Sequence, residues 1–266
     1  MEQKNTWLGY TAAQKRELEK LSKEYIDFLN RGKTERECVD IAVNEAERSG
    51  YRNLHDVVRS GEKLKKGDRI YAEWMGKSLA LFNIGSEDLE DGLNILGAHI
   101  DSPRMDVKQN PLYEESELAY FDTHYYGGIK KYQWVTLPLA IHGVIVKTDG
   151  TTAEVRIGED EDDPVFCVTD LLIHLAEEQM GKKGSKVVEG ESLDLLIGSE
   201  PLKGVEKKFE KEAVKQNILK LLKASHPVLP GHFRRMKLPV MLLIRRFMTK
   251  QISVCSGLPV CLIFLF

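Results

Sequence analysis

The sequence predicts an α/β fold into which a second, β-rich α+β block is inserted. Three patterns predict it. Two capped amphipathic helices are followed by short apolar strands, and the last of these runs into a polar loop at residues 99–103. That order suits a sheet whose functional loops lie beyond its strand ends. From Arg104 the texture changes to longer strand-like runs joined by a hairpin signal and followed by helices. A chain of 266 residues has room for one or two domains with real cores.

Residues 11–31 read as the first helix. Thr11 supplies a cap, and Leu18, Leu21, Tyr25 and Phe28 recur at three- and four-residue steps on one face. A second helix opens on Thr34-Glu35-Arg36-Glu37, a capping-box pattern, and stops at Gly50, with Cys38, Ile41, Ala42 and Ala46 as its buried stripe. Strands are expected near Ile70–Trp74, Ser78–Ile84 and Leu93–Ala98. In the second block, residues 135–147 and 151–157 are strand-like and meet at Thr148-Asp149-Gly150, where Asp-Gly favours a tight turn. Pro138 places a strand edge or a bend in the first of them. Helices are expected from about Asp170 to Gly181 and from about Val205 to Lys223.

Composition narrows the class. Net charge is −3, so no broad basic footprint for nucleic acid is expected. Met1–Tyr10 is polar and lacks the apolar run of a secretory signal, and four scattered cysteines form no Cys-x-x-Cys pair. A reducing cytoplasm fits this pattern best, with no membrane association. No Gly-x-Ser-x-Gly elbow or Walker loop occurs, which disfavours a serine hydrolase or an NTPase. The charge is also unevenly placed. All 41 acidic residues lie before Ala224, whereas residues 224–266 carry six basic residues and no acidic one, leaving the first part at −9 and the tail at +6. An ordinary domain mixes both signs. The tail is therefore expected to be an aberrant basic and apolar reading, as after a frameshift. Its last fourteen residues, Ser253–Phe266, fall short of the roughly 20 that span a bilayer.

The residues richest in chemistry are His99 and Asp101. Side chains in an extended segment alternate faces, so a His-x-Asp pair points to one side. The imidazole can then ligate a metal while the carboxylate fixes its tautomer. A hydrogen-bonded pair in an ordinary loop is the competing reading. Context favours the first. Leu96-Gly97-Ala98-His99-Ile100-Asp101-Ser102-Pro103-Arg104 is followed by Tyr125-Tyr126-Gly127-Gly128-Ile129-Lys130-Lys131-Tyr132-Gln133-Trp134, then by Asp162-Asp163-Pro164-Val165-Phe166 and Asp170-Leu171-Leu172-Ile173-His174-Leu175. In this order and spacing the motifs resemble the aspartyl-aminopeptidase family of co-catalytic zinc exopeptidases, over about Trp7 to Leu222.

The resemblance implies a zinc-exopeptidase-like catalytic domain, with residues 1–103 as its N-terminal part and residues 104–223 as an inserted dimerisation domain. It implies two zinc ions, His99 as a zinc ligand, Asp101 as a catalytic helper, and His174 as a substrate contact in a neighbouring subunit's pocket. It implies peptide substrates, preferably with acidic N-termini, and a homo-oligomer. In that family the remaining ligands, including a bridging Asp and a final His, and the catalytic Glu-Glu pair come from a C-terminal half that has no counterpart here. The function expected is thus a truncated and impaired metalloaminopeptidase. The alternative is a non-catalytic dimerisation module derived from one.

Other sites have plainer readings. Asp170 and His174 stand four apart on the expected helix; a metal pair is conceivable there, but an N-cap and a polar-face residue are simpler. Glu159–Asp163 reads as a solvated acidic turn, and Tyr125–Trp134 as a structural loop rather than a base-stacking surface. His55, His124 and His142 lack a partner at ligand spacing, Asp122-x-His124 being the near miss.

Overall fold

The structure, a computed structural model, describes residues 5–87, 92–146, 150–204, 211–225 and 240–244. It divides into two compact units, one running to Ser102 and the other from Pro103 to Phe247.

The first unit opens with helix α1 (Ala12–Arg31) and helix α2 (Glu35–Arg48). Both begin on the capping boxes legible in the sequence: Thr11 accepts from the Gln14 amide, and Thr34 from the Glu37 amide at 3.1 Å while Glu37 Oε2 takes the Thr34 amide at 2.9 Å. Each box satisfies amides that the helix's first turn leaves without partners. Strand β1 (Arg52–Asn53), helix α3 (Leu54–Ser60), strand β2 (Arg69–Trp74) and strand β3 (Ser78–Asn83) follow. β1 pairs parallel to β2, and β2 and β3 form an antiparallel hairpin. α2 packs on this small sheet through Val39, with Tyr71 of β2 and Leu79 of β3 completing the buried cluster.

Two expectations fail here. The apolar face of α1 is not buried: Leu18 and Phe28 are half-covered, but Leu21 is 60% and Tyr25 53% exposed. Leu93–Ala98 forms no strand, and apart from a single bridge at Ala98 its backbone is unladdered. Leu93, Ile95 and Leu96 are 64%, 65% and 41% exposed. An apolar run becomes a central strand only if neighbours take its amides and carbonyls, and no flanking strand is present among the described residues.

The second unit is built on a mainly antiparallel sheet. Its strands are β4 (Arg104–Glu115), β5 (Leu118–Tyr126), β6 (Leu139–Val146), β7 (Thr152–Ile157), β8 (Cys167–Val168), β9 (Leu195–Gly198) and β10 (Val240–Ile244). Among the described residues they lie in the order β7-β6-β10-β4-β5-β9-β8. Met105, Phe121, Trp134, Leu139, Leu193 and Leu195 are central to the core. Pro138 stands just ahead of β6, so an internal strand loses no ladder bond to it. Gly158 has φ +103 and lies where a Cβ would sit 3.0 Å from the Ala140 Cα, which only glycine tolerates. The Asp-Gly turn between β6 and β7 falls partly at residues 147–149, outside the described residues.

The helix expected over residues 170–181 is replaced by a 3-10 turn, Ile173–Leu175, and a four-residue helix α4 (Glu177–Met180). Asp170 does not cap a long helix. Its Oδ1 instead accepts from the Leu171 amide at 2.9 Å and from Gln179 Nε2 at 2.8 Å. A side chain bonded to its own flanking backbone competes with helix propagation. The last helix, α5 (Ala213–Ser225), begins later than expected, and residues 205–210 lie outside the described residues. Within the tail, Val240–Ile244 pairs antiparallel with both β4 and β6. The remainder from residue 226 lies outside the described residues, with His226, His232, Cys255 and Cys261 in it.

Candidate active site

His99 and Asp101 come together as their spacing predicts: His99 Nε2 lies 2.9 Å from Asp101 Oδ1. The residue between them explains why. Ile100 packs against the cluster of Val39, Tyr71 and Leu79, so its two neighbours are turned to the opposite side. The Cys38 thiol, on α2, approaches the Ile100 carbonyl at 4.0 Å and the Gly32 carbonyl at 3.5 Å. Burial, reinforced by the Glu37 and Glu35 charges, pushes that thiol from its ordinary 9.0 up to about 11. It therefore stays protonated at neutral pH and acts as a weak donor rather than a nucleophile. The His99 side chain is three-quarters exposed and that of Asp101 about one-fifth. The pair sits at the surface of its unit with the imidazole outward.

His174 belongs to the other unit. It stands in the 3-10 turn Ile173–Leu175, exposed, and flanked by Leu171, Leu172, Ile173 and Leu175, each more than half exposed. His174 is exposed, as a polar-face residue would be, but Leu171, Leu172 and Leu175, which would form the apolar face of the expected helix, are exposed as well. Four apolar residues in five positions do not make a single helical stripe, and here they stand out from the surface. With the helix gone, Asp170 and His174 no longer share a helical face.

Two polar networks were not foreseen. Lys108 on β4 bridges Asp122 of β5 at 2.8 Å and Glu191 at 2.7 Å. These bonds hold the ammonium charged and hold Glu191 below the usual carboxylate range. Asp194 accepts from the Tyr113 hydroxyl at 2.7 Å and from the Thr123 amide at 3.3 Å, while burial pushes its carboxyl upward. Glu191 and Asp194 lie 71 to 83 residues from the β4 and β5 residues they bond, so no local pattern signals them. His142 is buried and its Nε2 lies 3.0 Å from Glu159 Oε1. The acidic turn closes on Asp163, whose Oδ2 accepts from the amides of Gly158, Glu159 and Asp160. Trp134 is 7% exposed and belongs to the core, as the structural-loop reading of Tyr125–Trp134 expects.

A family model described as aminopeptidase I zinc metalloprotease (M18) matches residues 28–242. The chain belongs to the M18 family. A probable M18 family aminopeptidase 1 of Clostridium acetobutylicum is 57% identical over 227 residues, which are 85% of this chain and 48% of that protein. Its counterpart in Thermotoga maritima is 45% identical over 233 residues, 88% of this chain and 49% of that protein. Among solved structures, the M18 aminopeptidase of Thermotoga maritima superposes with a TM-score of 0.81 at 42% identity, over 92% of this chain and 51% of that one. Aminopeptidase I of Clostridium acetobutylicum gives 0.79 at 53%, over 92% and 52%. Yeast aminopeptidase 1, at 18% identity, with 85% of this chain and 48% of that one covered, shares the fold with a TM-score of 0.58. The chain spans about half the length of the M18 relatives it matches.

M18 is a zinc metalloprotease family, and a zinc site takes roughly three or four nitrogen, oxygen or sulfur ligands. The described residues do not supply them. No group of three or more His, Cys, Asp or Glu side chains among them is placed to hold a metal ion. Among the described residues His99 and Asp101 bring two candidate ligand side chains together, fewer than a zinc site takes. No helix among the described residues is long and apolar enough to cross a membrane.

Proposed function

We propose that this chain carries the first half of an M18 metalloaminopeptidase, whose reaction is release of N-terminal, preferentially acidic residues from peptides by zinc-activated water. The observation that carries the reading is the His99–Asp101 contact at 2.9 Å, standing in the Gly-Ala-His-Ile-Asp-Ser-Pro motif of a chain 57% identical to a named M18 aminopeptidase. In this reading His99 is one zinc ligand, and Asp101 holds the imidazole in the tautomer that leaves its other nitrogen free for metal. His174 is a substrate contact offered to a neighbouring subunit, and residues 104–223 mediate subunit pairing. Its exposure among exposed leucines supports that role, and a related yeast structure is described as a dodecamer. The cytoplasm is the proposed compartment.

Alone, the chain is read as an impaired enzyme, because zinc-assisted hydrolysis needs a complete ligand set and no group of three or more His, Cys, Asp or Glu among the described residues could hold a metal ion. The same shortage favours a second reading, a non-catalytic pairing module. Purified chain assayed with zinc on an aspartyl amide is expected to give little or no cleavage. Robust cleavage lost on His99→Ala would overturn the impaired reading. Concentration-dependent dimers with no bound zinc and no response to His99→Ala would favour the pairing module.

A further inference from the structure

The sheet of the second unit ends differently on its two sides. Among the described residues one end is β8, two residues long, which with its neighbour Phe166 is bridged back to Val135 and Leu139. At the other end lies β7, six residues long and paired along its whole length with β6. An edge strand of that length is a template for a further strand, and proteins commonly blunt such an edge with lysine, proline or a bulge. β7 has none of these. Its outward face instead carries one acid and one base, Glu154 and Arg156, with side chains 65% and 54% exposed.

We propose that β7 is a self-pairing edge: a second copy of this chain lays its own β7 antiparallel alongside, about a two-fold axis through Val155. The inference rests on the reading that residues 104–223 mediate subunit pairing, and it names the strand and the register. Directly opposed residues in an antiparallel pair share one hydrogen-bonding kind and one face, so the axis falls on a residue and not between two. Centred on Val155, the pairing sets Glu154 of each copy against Arg156 of the other. Centred on Glu154 or on Arg156, it would set like charges face to face, which is destabilising. Charge thus selects both the occupant and the register. On the opposite face Val155 meets Val155 and Ala153 meets Ile157, which extends an apolar row already packed into the core. Within one strand Arg156 Nη2 and Glu154 Oε2 lie 3.6 Å apart, beyond hydrogen-bond length and compatible with the cross-strand pairs. A six-residue strand pair is small against the roughly 1,200 Å² of a stable interface, so the association is weak and concentration-dependent.

Sedimentation equilibrium on the full chain reads the self-association. Glu154→Arg sets a base against Arg156 of the second copy, and Arg156→Glu sets an acid against its Glu154. Each variant alone is expected to associate about tenfold or more weakly than the parent, because two favourable cross-strand pairs become unfavourable. Both side chains are exposed, so circular dichroism and melting should match the parent. An equimolar mixture of the two variants restores both opposite-charge pairs and should associate as tightly as the parent. A purely intramolecular role for either side chain would give no such rescue. Glu154→Arg and Arg156→Glu combined in one chain should restore association as well, and hydrogen exchange over Thr152–Ile157 should slow as parent concentration rises. Dimers unaffected by either reversal, or variants whose mixture stays dissociated, would overturn the edge and leave pairing through residues 104–223 standing. A parent chain that stays monomeric throughout would overturn that pairing reading together with the edge.

Discussion

The Cys38 thiol on α2 points at the carbonyl of Ile100, 62 residues later, and so ties the helix to the loop that presents His99 and Asp101. The approach is loose, 4.0 Å from sulfur to oxygen, and its effect comes mainly from burial. Because burial raises this thiol from 9.0 to about 11, the folded state keeps its proton where the unfolded chain has lost it. Stability is therefore full below pH 9.0 and falls as pH rises through the interval up to about 11. Denaturant midpoints at pH 8, 10 and 11 should show the fall, and Cys38→Ala should flatten that part of the profile. An unchanged slope in the variant would remove the thiol as its cause.

His99→Ala should leave stability of the isolated chain within about 0.5 kcal/mol, since an outward imidazole contributes little to folding. In the proposed reading the pair's role is chemical, and thermal melts of parent and variant would check that it is not structural. A loss above about 2 kcal/mol would assign His99 a structural role.

Thr34→Ala removes a capping box whose cap residue is 5% exposed. The expected cost is about 1 kcal/mol, because the Glu37 amide loses the Thr34 hydroxyl that accepts from it. Chemical unfolding measures it, with Thr34→Ser restoring most of the loss.

Tyr113→Phe should cost about 1–3 kcal/mol, because Asp194 then loses its short bond while still shielded from water. Burial raises the Asp194 carboxyl above its ordinary 3.8, so this group favours folding most below that value and progressively less as pH rises through the shifted value. Asp194→Asn should reduce that pH dependence in unfolding experiments between pH 3 and 7.

The change of composition at Ala224 predicts a change of reading frame. Translating the encoding DNA in all three frames past about codon 210 should reveal a continuation rich in Asp, Glu and His. Two observations stand against it: the family match runs to residue 242, and Val240–Ile244 pairs with β4 and β6. Absence of such a continuation would favour the pairing module.

What was legible in the sequence was local. Thr11 and Thr34 announced their helices because a cap and its N3 partner are three residues apart. β2, β3, β6 and β7 showed their apolar strand character, and the His-x-Asp alternation survived in the loop because Ile100 anchors between the two side chains. β4 and β5 escaped notice because a register shift between Val107 and Leu112 breaks the two-residue period, and β8 and β9 are too short to show one. The long helix expected over residues 170–181 gives way where Asp170 bonds to Leu171 and Gln179. The sequence by itself determined the capped helices, the hairpins and the presence of a metal-ligand type of residue beside a carboxylate. Only the tertiary structure decided that Leu93–Gly97 lies in no strand, that the α1 stripe is exposed, and that His174 stands among exposed leucines. Burial and strand pairing depend on neighbours distant in sequence, and a residue's own pattern states what it can pair with, not whether the partner is there.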